Sequence, residues 1–257
     1  MILRRITEHV KAQNWFAVAI DFIIVVVGVF IGIQVSNWNS AQRDKVLALD
    51  YIDRLAADIE IERALLARAL NYFGKARRHA VTALAAFDGP ADALDEKFLI
   101  DLYQASQVWF VSFNRGTYDE LQSTGRIALI GDPDLRANLA NHFVRLNAMD
   151  YTLKATSEYR RVARLNIDNR VQMEIRATCG DKWVNSNTDY YVALPEACDI
   201  DVPAPLAKSE AARLHANDAL KSELRFHLSV LDAQLGTLGN TNVIVGATLE
   251  KLRAAQK

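Results

Sequence analysis

Catalytic and cofactor signatures are what this sequence most lacks. Its five histidines (His9, His79, His142, His215, His227) show no His-x-x-x-His or other metal-ligand spacing. There is no Gly-x-Ser-x-Gly elbow, no phosphate-binding glycine loop and no zinc-type cysteine set. Charge of one sign is also missing: 30 basic against 31 acidic residues leave a net charge of -1. No basic excess points to nucleic acid, and no acidic tail points to disorder. Glycine (11) and proline (5) are few in 257 residues, which argues against long structureless stretches. What remains is an ordinary globular composition, 51% apolar and 24% charged, rich in Ala and Leu. The expectation is a mainly α-helical chain without cofactor or metal, and not an enzyme. Carboxylate runs such as Asp58-Ile-Glu60-Ile-Glu62 read as a solvated helix face.

One long apolar run stands against this scarcity. From Ala17 to Val35 the chain reads AVAIDFIIVVVGVFIGIQV, with Asp21 its single charge. A helix of that length spans about 28 Å, enough for a hydrocarbon core of roughly 30 Å. Thirteen of its residues are Val, Ile or Phe. Their summed insertion free energy of roughly -4 to -8 kcal/mol outweighs about +3 kcal/mol for one central Asp. Trp15 and Phe16 before the run and Trp38 after it suit the bilayer interface. The run is longer than a secretory signal core, and SNWNSAQ offers no small-x-small cleavage site, so a retained anchor over 15–38 is expected. Arg4, Arg5 and Lys11 against Glu8 place the tail 1–14 in the cytoplasm and residues 39–257 outside.

The two cysteines agree with that side. Cys179 and Cys198 enclose a loop-like segment that a disulfide could close in an oxidising compartment, adding about 3 kcal/mol. Two separate buried thiols are the alternative. The loop carries Trp183, Tyr190 and Tyr191, which could recognise a partner or cover the end of a bundle.

Helical periodicity fills the rest. Ile52, Leu55, Ile59, Leu66, Leu70, Phe73, Leu84 and Phe87 recur at helical spacing until Asp88-Gly89-Pro90. A shorter helix follows over about 92–107. Thr117-Tyr-Asp-Glu120 has the form of a capping box, and Gly125 suits the residue after a helix end. Asp132-Pro133 opens a helix expected to reach about Ala177. Leu224, Leu228, Leu231, Leu235, Leu238, Asn242, Val245, Leu249 and Leu252 form a heptad seam with Asn242 its polar occupant. The seam is expected to pack inside the chain's own bundle, with an inter-chain coiled coil as the alternative. The fold expected is all-α: one N-terminal transmembrane helix, then an elongated extracytoplasmic bundle of helices 40–87, 92–124, 133–177 and 207–256. The disulfide loop 179–198 would cap its far end.

The stretch IDFIIVVVGVFIGIQVSNWN and the later TYDELQSTGRIALIGDPDLRANLANHF resemble a family of bacterial single-pass membrane proteins of unknown function. The motifs that carry the resemblance are an acid early in the span and the exit Gln34-Val-Ser-Asn37-Trp38-Asn39. Tyr118, Leu121, Ser123 and Gly125 supply a second. The resemblance implies a bacterial inner-membrane location and no activity; the cysteine loop lies outside it.

Within the span, steps of four, three, four and four put Asp21, Val25, Gly28, Gly32 and Ser36 on one helix face. Gly28-x-x-x-Gly32 allows close helix approach, so an intramembrane acid and a dimerisation face coincide. Asp21 either reaches the headgroups from its near-edge position or meets a partner. The layout looks like that of proton-driven stator subunits, without their α/β outside domains. Three functions follow as expectations: a membrane-anchored interaction or scaffold protein, self-associating or joined to another membrane protein; a proton- or ion-coupled accessory subunit using Asp21; and an extracytoplasmic sensor. The partners expected are the lipid bilayer and a second membrane helix.

Overall fold

The computed structural model describes residues 15–155, 157–185 and 190–256. The tail 1–14, on which the expected orientation rests, lies outside them. One helix, α1 (Trp15–Ala86), runs unbroken for 72 residues, about 108 Å at 1.5 Å per residue. Around its C-terminal half pack α2 (Glu96–Ala105), α3 (Gly116–Ser123), α4 (Pro133–Lys154), α5 (Tyr159–Asn166), α6 (Asn169–Cys179), α7 (Ala204–His215) and α8 (Asp218–Ala255). Short 3-10 turns at Ala91–Ala93 and Arg126–Leu129 join them, and a β-hairpin pairs β1 (Lys182–Asn185) with β2 (Tyr190–Ala193). The all-α expectation holds, with this hairpin inside the expected loop.

Two seams hold the bundle together. On α1 the buried line is Ile52, Leu55, Ile59, Glu62, Leu66, Ala69, Phe73, Ala76, Ala80 and Ala83, alternating steps of three and four. Its alanines let α8 lie close, which the pattern of large apolar residues alone does not reveal. On α8 the buried line is Leu220, Leu224, His227, Leu231, Gln234, Leu238, Thr241, Val245, Thr248 and Leu252. The expected seam therefore differs by one residue at Leu228, Leu235 and Asn242, while Leu249 is buried as expected. Leu228, Leu235 and Asn242 sit half-buried at its edge, and His227, Gln234, Thr241 and Thr248 occupy the interior every seventh residue. The seam does pack within the chain, against α1 and α4.

The helix order runs out, back, out and back. Lys221–Asp88 (2.8 Å), Arg77–Asp232 (2.5 Å) and Arg253–Glu60 (2.6 Å) fix α8 antiparallel to α1. Gln256 donates to Asp53 at 2.8 Å, so the C-terminus returns to the base of the apolar arm.

Three expected boundaries are corrected. Thr117 is buried within α3 rather than capping it; the N-cap is Arg115, and Asn114 Oδ1 accepts from Gly116 N. Glu120 is drawn instead to Tyr51 (2.6 Å) and Arg54 (2.6 Å), which hold its carboxyl below the ordinary range. The helix expected over 133–177 is three helices. At the first break, Gln234 of α8 donates to the freed carbonyls of Leu153 and Ala155, at 3.2 and 3.1 Å. At the second, Gln172 donates to Arg164 O and Ile167 O, and Glu210 accepts from Asp168 N. The last expected helix likewise divides, with Asn217 capping α8 through Leu220 N. Two boundaries stand as expected. Asp132 caps α4 by accepting from Asp134 N with Pro133 first in the helix, and Gly125 takes φ +70°, where a side chain would be strained.

Candidate functional site

The apolar arm is the first site. No residue from Trp15 to Asp50 is buried; the first that is buried is Tyr51. The helix is long and apolar enough to cross a membrane, and none of its apolar window is covered by the rest of the chain. Asp21, Gly28, Gly32 and Ser36 do share one face. A Cβ placed at Gly28 or Gly32 would meet nothing within 4 Å, so the small-residue stripe is open. Asp21 is half-buried, and its Oδ2 is enclosed without a hydrogen-bond partner among the described residues.

The second is the disulfide segment. Cys179 and Cys198 are bonded, with Cα atoms 5.3 Å apart. The segment does not cap the far end of the bundle. That end is built by Phe87 against Phe98 and His215, and by the Asp88–Lys221 pair. The hairpin lies along the flank of α1 instead. Tyr72 donates to Asp181 at 3.0 Å, Lys75 to Leu194 O at 2.9 Å, and Lys75 pairs with Glu196 at 2.5 Å. Between hairpin and helix is a cavity of about 490 Å³ bordered by Ala64, Arg68, Tyr72, Tyr191 and Leu194.

Of the aromatics expected to form one recognition loop, Trp183 and Tyr191 lie on opposite faces of the hairpin. Trp183 is 61% exposed, whereas Tyr191 is half-buried with the Arg68 guanidinium 4.2 Å over its ring. Tyr190 lies in β2, and its side chain is outside the described part. Tyr191 is thus tied to α1 and belongs to the hairpin's seat, not to a free surface.

Sequence reasoning missed a third feature. Glu62, expected on a solvated face, is buried and meets His142 of α4, Oε2 to Nε2 at 3.1 Å. Only Glu60 of that acidic run is exposed at this level; it pairs with Arg253. Glu62 Oε1 and His142 Nδ1 are both enclosed without partners among the described residues. The signal was present: Glu62 fills the gap between Ile59 and Leu66 in the three-four rhythm, as His142 does between Leu139 and Leu146. Such a pair joins α1 to α4 and opposes any slip in register, because separating the two would leave both polar groups unpaired in the core. Among the described residues no group of three or more His, Cys, Asp and Glu could hold a metal ion.

The chain matches no family model, no curated protein and no solved structure.

Proposed function

We propose that this chain is a single-pass membrane protein, N-terminus in the cytoplasm and bundle outside, that assembles with a second transmembrane helix through the Asp21/Gly28/Gly32/Ser36 face. The observation that carries the reading is a contrast along one helix. From Tyr51 onward the apolar face of α1 is filled by α8, α2 and the hairpin, while none of its apolar window near the N-terminus is covered by the rest of the chain. A bundle whose seams are satisfied within the chain has little left to offer a coiled-coil partner. The open stripe of the arm has no such satisfaction. In lipid, association rests on close packing of small residues and on polar groups seeking partners, and this face supplies both. A second copy of the chain is the simplest occupant, since it brings the same stripe.

The resemblance of the Gln34-to-Asn39 exit to bacterial single-pass proteins supports an inner-membrane location. Replacing both Gly28 and Gly32 with Leu should weaken self-association of the span in a membrane dimerisation assay. Unchanged association would sink the proposal.

Asp21 favours a second reading, an accessory subunit of a proton- or ion-coupled complex, because its enclosed Oδ2 lacks a partner. There Asp21→Asn should abolish the coupled activity while leaving membrane insertion intact.

A further inference from the structure

Three guanidinium groups meet where α5 and α6 cross the C-terminal end of α2. Arg160 Nη1 donates to Ser106 O at 2.5 Å and reaches Gln107 Oε1 at 3.5 Å. Arg164 Nη2 donates to the same Gln107 oxygen at 3.1 Å, and its Nε to Ser106 Oγ at 3.1 Å. The Arg164 guanidinium stands 3.1 Å over the centroid of the Tyr103 ring, whose hydroxyl accepts from Arg176 Nε at 3.1 Å. Arg176 Nη2 donates to Gln172 Oε1 at 3.1 Å. Every one of these partners is neutral.

No carboxylate pairs with Arg160, Arg164 or Arg176 within 4.0 Å among the described residues. The acid facing Arg160 and Arg164 is Asp181, and both its oxygens are engaged by the Tyr72 hydroxyl at 3.0 and 3.2 Å. Burial pushes the Asp181 carboxyl and the Tyr72 hydroxyl upward, and it lowers Arg164 to about 9, with Arg176 adding to the effect. The end of the α2 dipole offers about half a negative charge. Even with Asp181 ionised, that leaves an excess of roughly one and a half positive charges in a partly desolvated place. Helix tethering accounts for the neutral contacts but not for a third arginine. Arg160 Nε and Nη2, Arg164 Nη1 and Arg176 Nη1 make no hydrogen bond among the described residues. Arg176 is exposed, which leaves the cluster a way in.

We propose that Arg160, Arg164 and Arg176 bind a small soluble oxyanion, a dianion of the phosphate type. Guanidinium forks match such oxygens with paired, charge-assisted hydrogen bonds, and the charge excess suits a dianion better than a monoanion. Lipid phosphates are not the source: Tyr72, beside the cluster, stands about 50 Å along α1 from Trp38, many times the screening length of about 8 Å. The site is independent of the transmembrane face and stands whether or not that face self-associates.

The test is calorimetric titration of the detergent-solubilised full chain with inorganic phosphate, against chloride at matched ionic strength and acetate as a monoanion. Saturable binding of phosphate, weaker by roughly tenfold or more in Arg164→Gln and in Arg176→Gln, is expected. Arg176 is exposed, so its variant should keep the helical spectrum and the melting temperature even if Arg164→Gln does not. Absence of saturable binding, or equal affinity in Arg176→Gln, overturns the site. Acetate binding as tightly as phosphate overturns the dianion assignment.

Discussion

Glu62 and His142 meet in the middle of the bundle, Oε2 to Nε2 at 3.1 Å, with side chains 2% and 1% exposed. Glu62 belongs to the helix that carries the apolar arm, and His142 to a helix that begins beside its base. A polar contact so enclosed fixes how α1 sits against α4. It does so through the penalty for mispairing rather than through net attraction.

That balance can be measured. His142→Leu leaves a carboxylate alone in the core and should lower stability by about 3–5 kcal/mol. Glu62→Leu with His142→Leu together removes both polar groups, and most of the loss should be regained or exceeded. Urea midpoints of the wild type, single and double variants close the cycle. A double variant as unstable as the single would show that the pair contributes by direct attraction.

His227 gives the fold a pH dependence of known sign. Ala105 O, 2.8 Å away, can only accept, so Nε2 carries the proton and Nδ1 faces the Ser157 hydroxyl at 2.8 Å. Burial lowers its pKa from 6.5, the Ala105 bond opposing. In the unfolded chain the ring takes a proton near 6.5, while the folded ring resists. The contribution of neutral His227 is therefore full above 6.5 and is lost as pH falls from there toward the folded value. The slope is at most about 1.4 kcal/mol per pH unit. Denaturation midpoints between about pH 7.5 and 5 should fall less in His227→Gln than in wild type. Identical slopes would remove His227 from the account.

How much of this was legible follows the range of each cause. The long periodic helices, Gly125 after α3 and Asp132-Pro133 before α4 depend on neighbours within a turn or two, so spacing finds them. The break after Lys154 does not. Its carbonyls are satisfied by Gln234, some eighty positions later. Thr117 and Glu120 have the residues of a capping box, worth about 1 kcal/mol. Here Glu120 is engaged instead by Tyr51 and Arg54, more than sixty positions away, which spacing within one turn does not reveal. Composition rules send Glu62, His142 and the arginines of α5 to the surface, and only the position of each within its seam says otherwise. Of the candidate site, the arm's face was readable because a single helix defines it. The arginine cluster needs three helices and a break between them.

The disulfide should matter to the hairpin more than to the bundle. Closing a span with sequence separation 19 restricts the unfolded chain by about 3 kcal/mol. Cys198 sits half-buried beside Ile200 and Val202, and the heptad seams lie elsewhere. Replacing both cysteines with Ala should lower the melting temperature while leaving the helical circular-dichroism signal at 25 °C nearly unchanged. Proteolysis should then cut first within 180–200. First cleavage within α8 instead would show that the bridge braces the bundle itself.

Orientation is the remaining premise, and the C-terminus reads it out. Gln256 is bound to Asp53, fifteen residues past Trp38 and so about 22 Å along the helix from the expected bilayer exit. A reporter joined after Lys257 through a short polar linker emerges on the same side as the bundle, since no second apolar span intervenes among the described residues. On the proposed orientation, drawn from Arg4, Arg5 and Lys11 in the tail, a reporter active only outside the cytoplasm should be active there. Moving three basic residues from the tail to positions just after Trp38 should reduce that activity, because the bias of short flanks sets the orientation. Activity of a cytoplasm-only reporter at Lys257 in the wild type would reverse the topology. It would also strand Cys179 and Cys198 in a reducing compartment, where such a bridge does not persist.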